Sequence, residues 1–515
     1  MTASSRQNTK GLMAHPHANT EHARASTSPL FPDGADDPSR AQAPGCDNSV
    51  TSPSPSARVG AAKERWHVPT GLMMDGYSAR RTPNAGQHDP LWIRALALDD
   101  GSRRAVIVTV DVIGLDLTLT QSIRAKLQRD LGLEPDLVLV AATHTHSGPG
   151  GIRMGAHPHD ELLRTALVTR VVHTATIAVE RLEPATVAYG HGDVEGLSQN
   201  RRDPTNHTPT RLDALVAHSA EHMQPLAVLC GFACHPTVLD HENLQYSADY
   251  PGAVISTAEA ALPGATVLFL TGACADINPA RQRASFAEVE RFGHVLGGAV
   301  VRLTGELAAL DAPRLVDNLM WNERLPVQQA AGKVLGLALR GYRRPLGLSL
   351  KAFEAAEGYA ERIAAVGAAL ERLIDPQQRL ERRLHTAQLT ALRAEQASRP
   401  VATQYRKRNG EHVSTELQYL GFDADSGLLA FPGETFSTYD GFARAHCAGD
   451  LMLAAYANDY VGYLVSATCL AEGGYEAGRT LFDATQQATL EEAIRGLLQS
   501  TSPEAGSTAK RQEWT

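Results

Sequence analysis

Four continuous apolar runs, separated by stretches of helical period, leave this chain few architectures to choose from. AVIVTVDVIGL (105–115), DLVLVAA (136–142), PLAVLCGFAC (225–234) and ATVLFL (265–270) are apolar almost throughout and end at turn residues. That is the pattern of strands buried on both faces. Between them, LTLTQSIRAKLQRDL (117–131), DELLRTALVTRVVHTATIAVERL (160–182) and AVISTAEAAL (253–262) follow helical spacing, as does a segment over 283–308. Strands alternating with helices predict an α/β domain of mixed, largely parallel sheets flanked by helices.

The pattern changes over about 350–399, where AFEAAEGYAERIAAVGAALERLI and QRLERRLHTAQLTALRAEQA are charged, helical and free of β character. This predicts a helical hairpin inserted into the domain. Strand-like alternation returns in HVSTELQYLGF and GLLAFPGE, and site candidates fall on both sides of the insert, so a single domain over 63–498 is expected. Residues 1–62 and 499–515 are rich in Ser, Pro, Ala and Thr and are expected to be disordered tails, having too little apolar surface to offset ordering entropy.

Charge and targeting narrow the function. The net charge is 48 − 57 = −9 with no long basic run, which argues against nucleic-acid binding through phosphate neutralisation. No run approaches the 18 or so apolar residues of a membrane span, and the N-terminus lacks the apolar core of a secretion signal, so a cytoplasmic location is expected. Six cysteines without CxxC spacing exclude a disulfide framework.

Chemistry-bearing residues cluster where apolar runs stop. His144 and His146 lie in THTHSGPGG directly after DLVLVAA, and His235 follows PLAVLCGFAC in CHPT. In open α/β sheets ligands bind beyond the carboxyl ends of strands, and imidazole is a common zinc ligand. Cys274, Asp276 and Asn278 lie in TGACADINP after ATVLFL; no base lies near Cys274 in sequence, and a small residue filling a tight turn is its expected role. Glu434 ends FPGE, and Tyr463 and Tyr475 lie in NDYVGY and GGYE, where aromatics are more often core than catalytic.

Together and in this order, VPTGLMMDGYSARR, AATHTHSGPGG, QNRR, FACHPT, TGACADINP, FPGE and NDYVGYLV…GGYEAG resemble the neutral/alkaline (non-lysosomal) ceramidases and their bacterial relatives. The resemblance covers about residues 65–485 and extends to the catalytic part without the C-terminal β-sandwich of longer members. It implies a zinc amidase cleaving the N-acyl bond of ceramide or a ceramide-like amide, with one Zn²⁺ per chain held by His144, His235, Glu434 and Tyr463. It further implies that His146 is the general acid/base, Tyr475 a contact to the reacting carbonyl, and Arg201 a substrate contact. Asp111 and Asp276 are candidates to orient the zinc histidines, with strand-end packing an equally good account of each. The runner-up reading keeps the site but gives it a non-lipid amide, ester or lactam, in hydrolysis or synthesis; the lack of a secretion signal favours it, as does VSATCLAEGG in place of the Thr-Thr-Pro-Glu-Glu type stretch that the resemblance implies between the two tyrosines. A non-catalytic binding protein is disfavoured, because candidates stand at all four ligand positions.

Overall fold

The computed structural model describes residues 57–153, 157–203, 205, 208–222, 224–308, 310, 315–317, 324–326 and 332–500. The tails predicted over 1–62 and 499–515 lie outside these residues except at their inner ends. There the strand β1 (Arg58–Arg65) begins before the predicted boundary: RVGAAKER has little apolar bulk, but Val59 and Ala62 are buried and all eight residues pair with β2 (Trp92–Asp99).

The main sheet continues through β3 (Arg104–Val110), β4 (Val138–Ala142), β5 (Glu183–Asp193), β6 (Arg211–Ser219), β7 (Pro225–Phe232) and β8 (Thr266–Thr271), with a short β9 (Gly332–Val334) on β5. Its order is β8-β7-β6-β5-β1-β2-β3-β4. The sheet is mixed, as expected, but only β3–β4 and β7–β8 are parallel. The remaining neighbours are antiparallel, two of them joined by short links, one of which is the Asp100–Arg103 turn closed by the Asp100 carboxylate. The strands nevertheless read as continuous apolar runs because both faces are covered.

That cover makes four layers. β1 and β5 share only two residue pairs, so the sheet divides into two halves. Along β2, Ile93, Ala95 and Ala97 face helices α1 (Leu117–Leu131) and α2 (Glu161–Glu180), while Leu96 and Leu98 face the inner core with Leu215, Leu229 and Leu268. α3 (Asp249–Ala261) and α4 (Phe286–Ala308) cover the outer face of the second half. α1 and α2 start where predicted, each capped by an aspartate: the Asp116 and Asp160 carboxylates accept from the Leu119 and Leu163 amides. α2 is long and apolar enough to cross a membrane by length and composition, but its Leu167, Val171, Ala175 and Ala178 are buried against the sheet.

A second sheet, β10 (Arg340–Ser349), β11 (His412–Gly421), β12 (Ser426–Ala430) and β14 (Asp450–Ala454), extends the inner core through Leu420, Leu428 and Met452. Between β12 and β14 lies the two-residue β13 (Glu434–Thr435), which pairs in parallel with β15 (Tyr463–Leu464). The predicted hairpin insert is α5 (Ala356–Arg372) and α6 (Arg379–Asn409). α6 runs ten residues past the predicted end, through Pro400, which removes one helical hydrogen bond without ending the helix.

Candidate metal centre

Both parallel strand pairs deliver their carboxyl ends to one place. Beyond β4, His144 takes a left-handed backbone (φ 65), uncommon for a residue with a side chain. It is held there by its amide, which donates to the Val112 carbonyl (3.0 Å), while the Thr271 hydroxyl donates to the Thr143 carbonyl (2.8 Å). Beyond β7, the His235 amide donates to the Ile277 carbonyl (3.1 Å), and Tyr250 Oη donates to the Cys234 carbonyl (2.6 Å).

The imidazoles then converge. His144 Nδ1 lies 2.6 Å from the Ile113 carbonyl and His235 Nδ1 lies 3.1 Å from the Cys274 carbonyl. A carbonyl only accepts, so each Nδ1 carries the proton and each Nε2 presents a lone pair. Those two Nε2 atoms are 3.1 Å apart, and His146 Nε2 is 3.2 Å from His144 Nε2. Burial, reinforced by the neighbouring imidazoles, holds His144 and His146 well below the usual histidine range; burial and Arg201 push His235 down to about 3. No proton is left to share between His144 and His235, so their contact is repulsive unless a cation lies between them.

Glu434 completes the cluster from the second sheet. Its Oε2 is 3.6 Å from His235 Nε2 and 4.0 Å from His144 Nε2, buried and without a hydrogen-bond partner. Its Oε1 accepts from Tyr460 Oη. Burial raises its pKa, against the hydrogen bonds from Tyr460 and Tyr463. Tyr463 is its register partner across β13 and β15. A tetrahedral zinc with arms of about 2.0–2.1 Å has ligand–ligand edges near 3.3 Å. The separations here match that scale, and imidazole nitrogens with a carboxylate oxygen are donors that suit the ion.

The other predicted site residues are brought close in different ways. Arg201 donates to Tyr463 Oη (3.2 Å), Glu476 Oε1 (2.8 Å) and Asn278 Oδ1 (3.3 Å), so it is satisfied by protein groups. Tyr475 meets the Tyr463 ring edge-on, centroids 6.0 Å apart, and stands one ring outside the cluster. Neither Asp111 nor Asp276 touches an imidazole. Asp111 accepts from the Trp92 amide and Thr143 Oγ1, Asp276 from Ser437 and Asn200, so strand-end packing is the account that holds; backbone carbonyls orient the histidines instead. Cys274 is buried with its thiol pKa raised by burial, 3.3 Å from Tyr456 Oη, and fills a tight turn as expected.

Sequence reasoning missed three partners. Tyr456 stacks on His144 (centroids 3.7 Å, 12°), and Tyr460 secures Glu434. Gly76 (φ 107) abuts His146 so closely that a Cβ there would sit 2.6 Å from Cγ of the ring. Tyr460 was marked only by its spacing of three from Tyr463.

Residues 68–269 match the family model described as neutral/alkaline non-lysosomal ceramidase, N-terminal. Over this segment the chain is similar to the neutral/alkaline ceramidases. Over 138 residues it is 30% identical to a neutral ceramidase of Pseudomonas aeruginosa, an alignment covering 25% of this chain and 21% of that protein. Over 208 residues it is 27% identical to a neutral ceramidase of Mycobacterium tuberculosis, covering 35% of this chain and 32% of that one. These alignments therefore span a third or less of the relatives' length. The fold is shared more widely: the crystal structure of the P. aeruginosa neutral ceramidase superposes with a TM-score of 0.64 at 20% identity, over 88% of this chain and 76% of that one. A ceramidase complexed with C2 gives 0.60 at 18% identity, over 88% and 77%. The matched segment holds Arg201 and all three histidines, whereas Glu434, Tyr463 and Tyr475 lie beyond it.

Proposed function

We propose that the chain is a zinc-dependent amidohydrolase that cleaves the N-acyl bond of ceramide or a ceramide-like amide. The observation that carries this reading is the 3.1 Å approach of two buried Nε2 lone pairs beside the unpartnered Glu434 carboxylate oxygen. His144, His235, Glu434 and Tyr463 would hold the ion. Zinc in that cage would supply Lewis acidity, polarising an amide carbonyl and activating water at neutral pH.

The chain's own groups do the rest. His146, kept neutral by burial and with its Nδ1 free of any protein partner among the described residues, takes the proton as water adds to the acyl carbon. It returns that proton to the nitrogen as the C–N bond breaks, giving a carboxylic acid and an amine. Arg201 positions the Tyr463 hydroxyl, and Tyr475, beside it, contacts the reacting carbonyl. Gly76 and Tyr77 pack against His146 and fix its ring.

A second reading of His146 rests on its 3.2 Å distance to His144 Nε2, which makes it a third imidazole ligand. The test of the function is turnover of N-acyl-sphingosine and of short N-acyl amines, before and after chelation. Amide cleavage lost on chelation and regained with zinc is expected; undiminished cleavage after metal removal would contradict the proposal.

A further inference from the structure

A cavity of about 330 Å³ opens beside Glu434. Glu434, Tyr460 and Tyr463 form one side, and α6 of the insert contributes Val401 and Tyr405 opposite. The cavity is at the compact end of small-molecule sites. Of the guanidiniums in its lining and behind it, all but one are hydrogen-bonded to a carboxylate. Arg153 Nη2 lies 3.2 Å from Asp75 Oδ1, and its guanidinium sits over the Tyr460 ring at 4.1 Å. Arg201 and Arg202, behind Tyr463, both pair with Glu476. Glu434 accepts from Tyr460 beside the imidazoles and attracts Arg479 through space without a hydrogen bond to it.

Arg479 is the exception. It lines the same cavity, yet its guanidinium makes no hydrogen bond or ion pair among the described residues, and its Nε is buried without an acceptor. A guanidinium cannot shed its charge and presents five donors in a fixed plane. Arg479 is partly buried, with its Nε shut off from water, and a planar oxyanion in the cavity would satisfy the guanidinium through paired donors.

We propose that Arg479 forms a carboxylate subsite, so that the amide cleaved at this centre carries an acidic group, as an N-acyl amino acid does. The cavity provides for both parts of such a molecule: Ala397, Pro400 and Val401 of α6, interspersed with Ser398 and Gln404, for the acyl chain, and the free donors of Arg479 for the acid. The inference rests on the amidohydrolase reading and replaces neutral ceramide with an acidic amide as its substrate class. It also explains why Arg479 stands four residues after Tyr475, at the end of the short helix Tyr475–Arg479, with Gly478 packed against α6.

The test uses the metal-loaded protein and a matched pair, N-lauroylglycine and N-lauroylethanolamine, which differ in the acid alone. The wild type is expected to favour the acid by roughly tenfold or more in kcat/KM, and Arg479→Met to bring the ratio near one, with Arg479→Lys between them. Thermal unfolding of each variant establishes that it folds. The ketone analogue of N-lauroylglycine, with CH₂ replacing the amide NH, reads binding without turnover. It should bind the wild type roughly tenfold more tightly than Arg479→Met. If the neutral amide is cleaved but the acid is not preferred, or if Arg479→Met keeps the preference, the subsite is overturned and the amidohydrolase stands. If neither amide is cleaved but the ketone acid still distinguishes wild type from Arg479→Met, the subsite stands and the amidohydrolase falls. Equal ketone binding by both proteins would overturn the subsite in every case.

Discussion

The imidazoles of His144 and His235 are fixed by backbone carbonyls, whereas Glu434 and Tyr463 are fixed by other side chains. On the histidine side, Ile113 and Cys274 accept the Nδ1 protons, and the strand ends are laced together by main-chain bonds with help from the Thr271 and Tyr250 hydroxyls. On the carboxylate side, Tyr460 holds Glu434, Arg201 holds Tyr463, and Glu476 holds Arg201. A carbonyl cannot be removed by substitution, so the first half survives as long as the fold does. The second half can be retuned one residue at a time. The proposed cage draws on both halves, two imidazoles from the first and Glu434 with Tyr463 from the second.

The largest effect should come from breaking the histidine side. His235→Ala is expected to lower kcat/KM by at least ~10³-fold and to abolish bound metal. A variant that stays active and metal-loaded would dissolve the distinction. His146→Ala should lose about 10²–10³-fold in kcat while keeping its metal, as removal of a proton carrier does. Metal lost together with activity would move His146 into the cage and leave the second half with less of the ion.

Smaller effects should follow on the other side. Tyr460→Phe deletes the hydroxyl that holds Glu434, and metal affinity, read by competition with a chelator, should fall about 10–100-fold. The least change is expected from Gly478→Ala. Its Cβ would sit 2.5 Å from the Ala391 carbonyl, so α6 must shift; KM should rise severalfold and the melting temperature fall by a few degrees, with metal content unchanged. An unaltered KM would detach the insert from substrate binding.

The same division governs what the sequence disclosed. Histidines at strand ends are legible because an apolar run stops at a Gly- or Pro-rich turn, and α1 matches its predicted span residue for residue. The parallel bias was misread because strands buried on both faces look alike whether their neighbours run parallel or antiparallel; helices and a second sheet, invisible locally, supply the cover. β1 was missed for lack of apolar bulk, and α6 was ended too early at a proline it accommodates. Arg479 carried no signal at all, since an arginine without a partner is recognised only when its neighbours in space are known. Side chains held by side chains from distant strands, such as Tyr460 on Glu434, are similarly hidden.

The most direct measurement is metal analysis of the purified protein with His144→Ala beside it. About one zinc per chain in the wild type, lost in the variant, is the predicted result. A wild-type protein that carries no metal and takes up none on exposure to zinc would contradict the account at its centre.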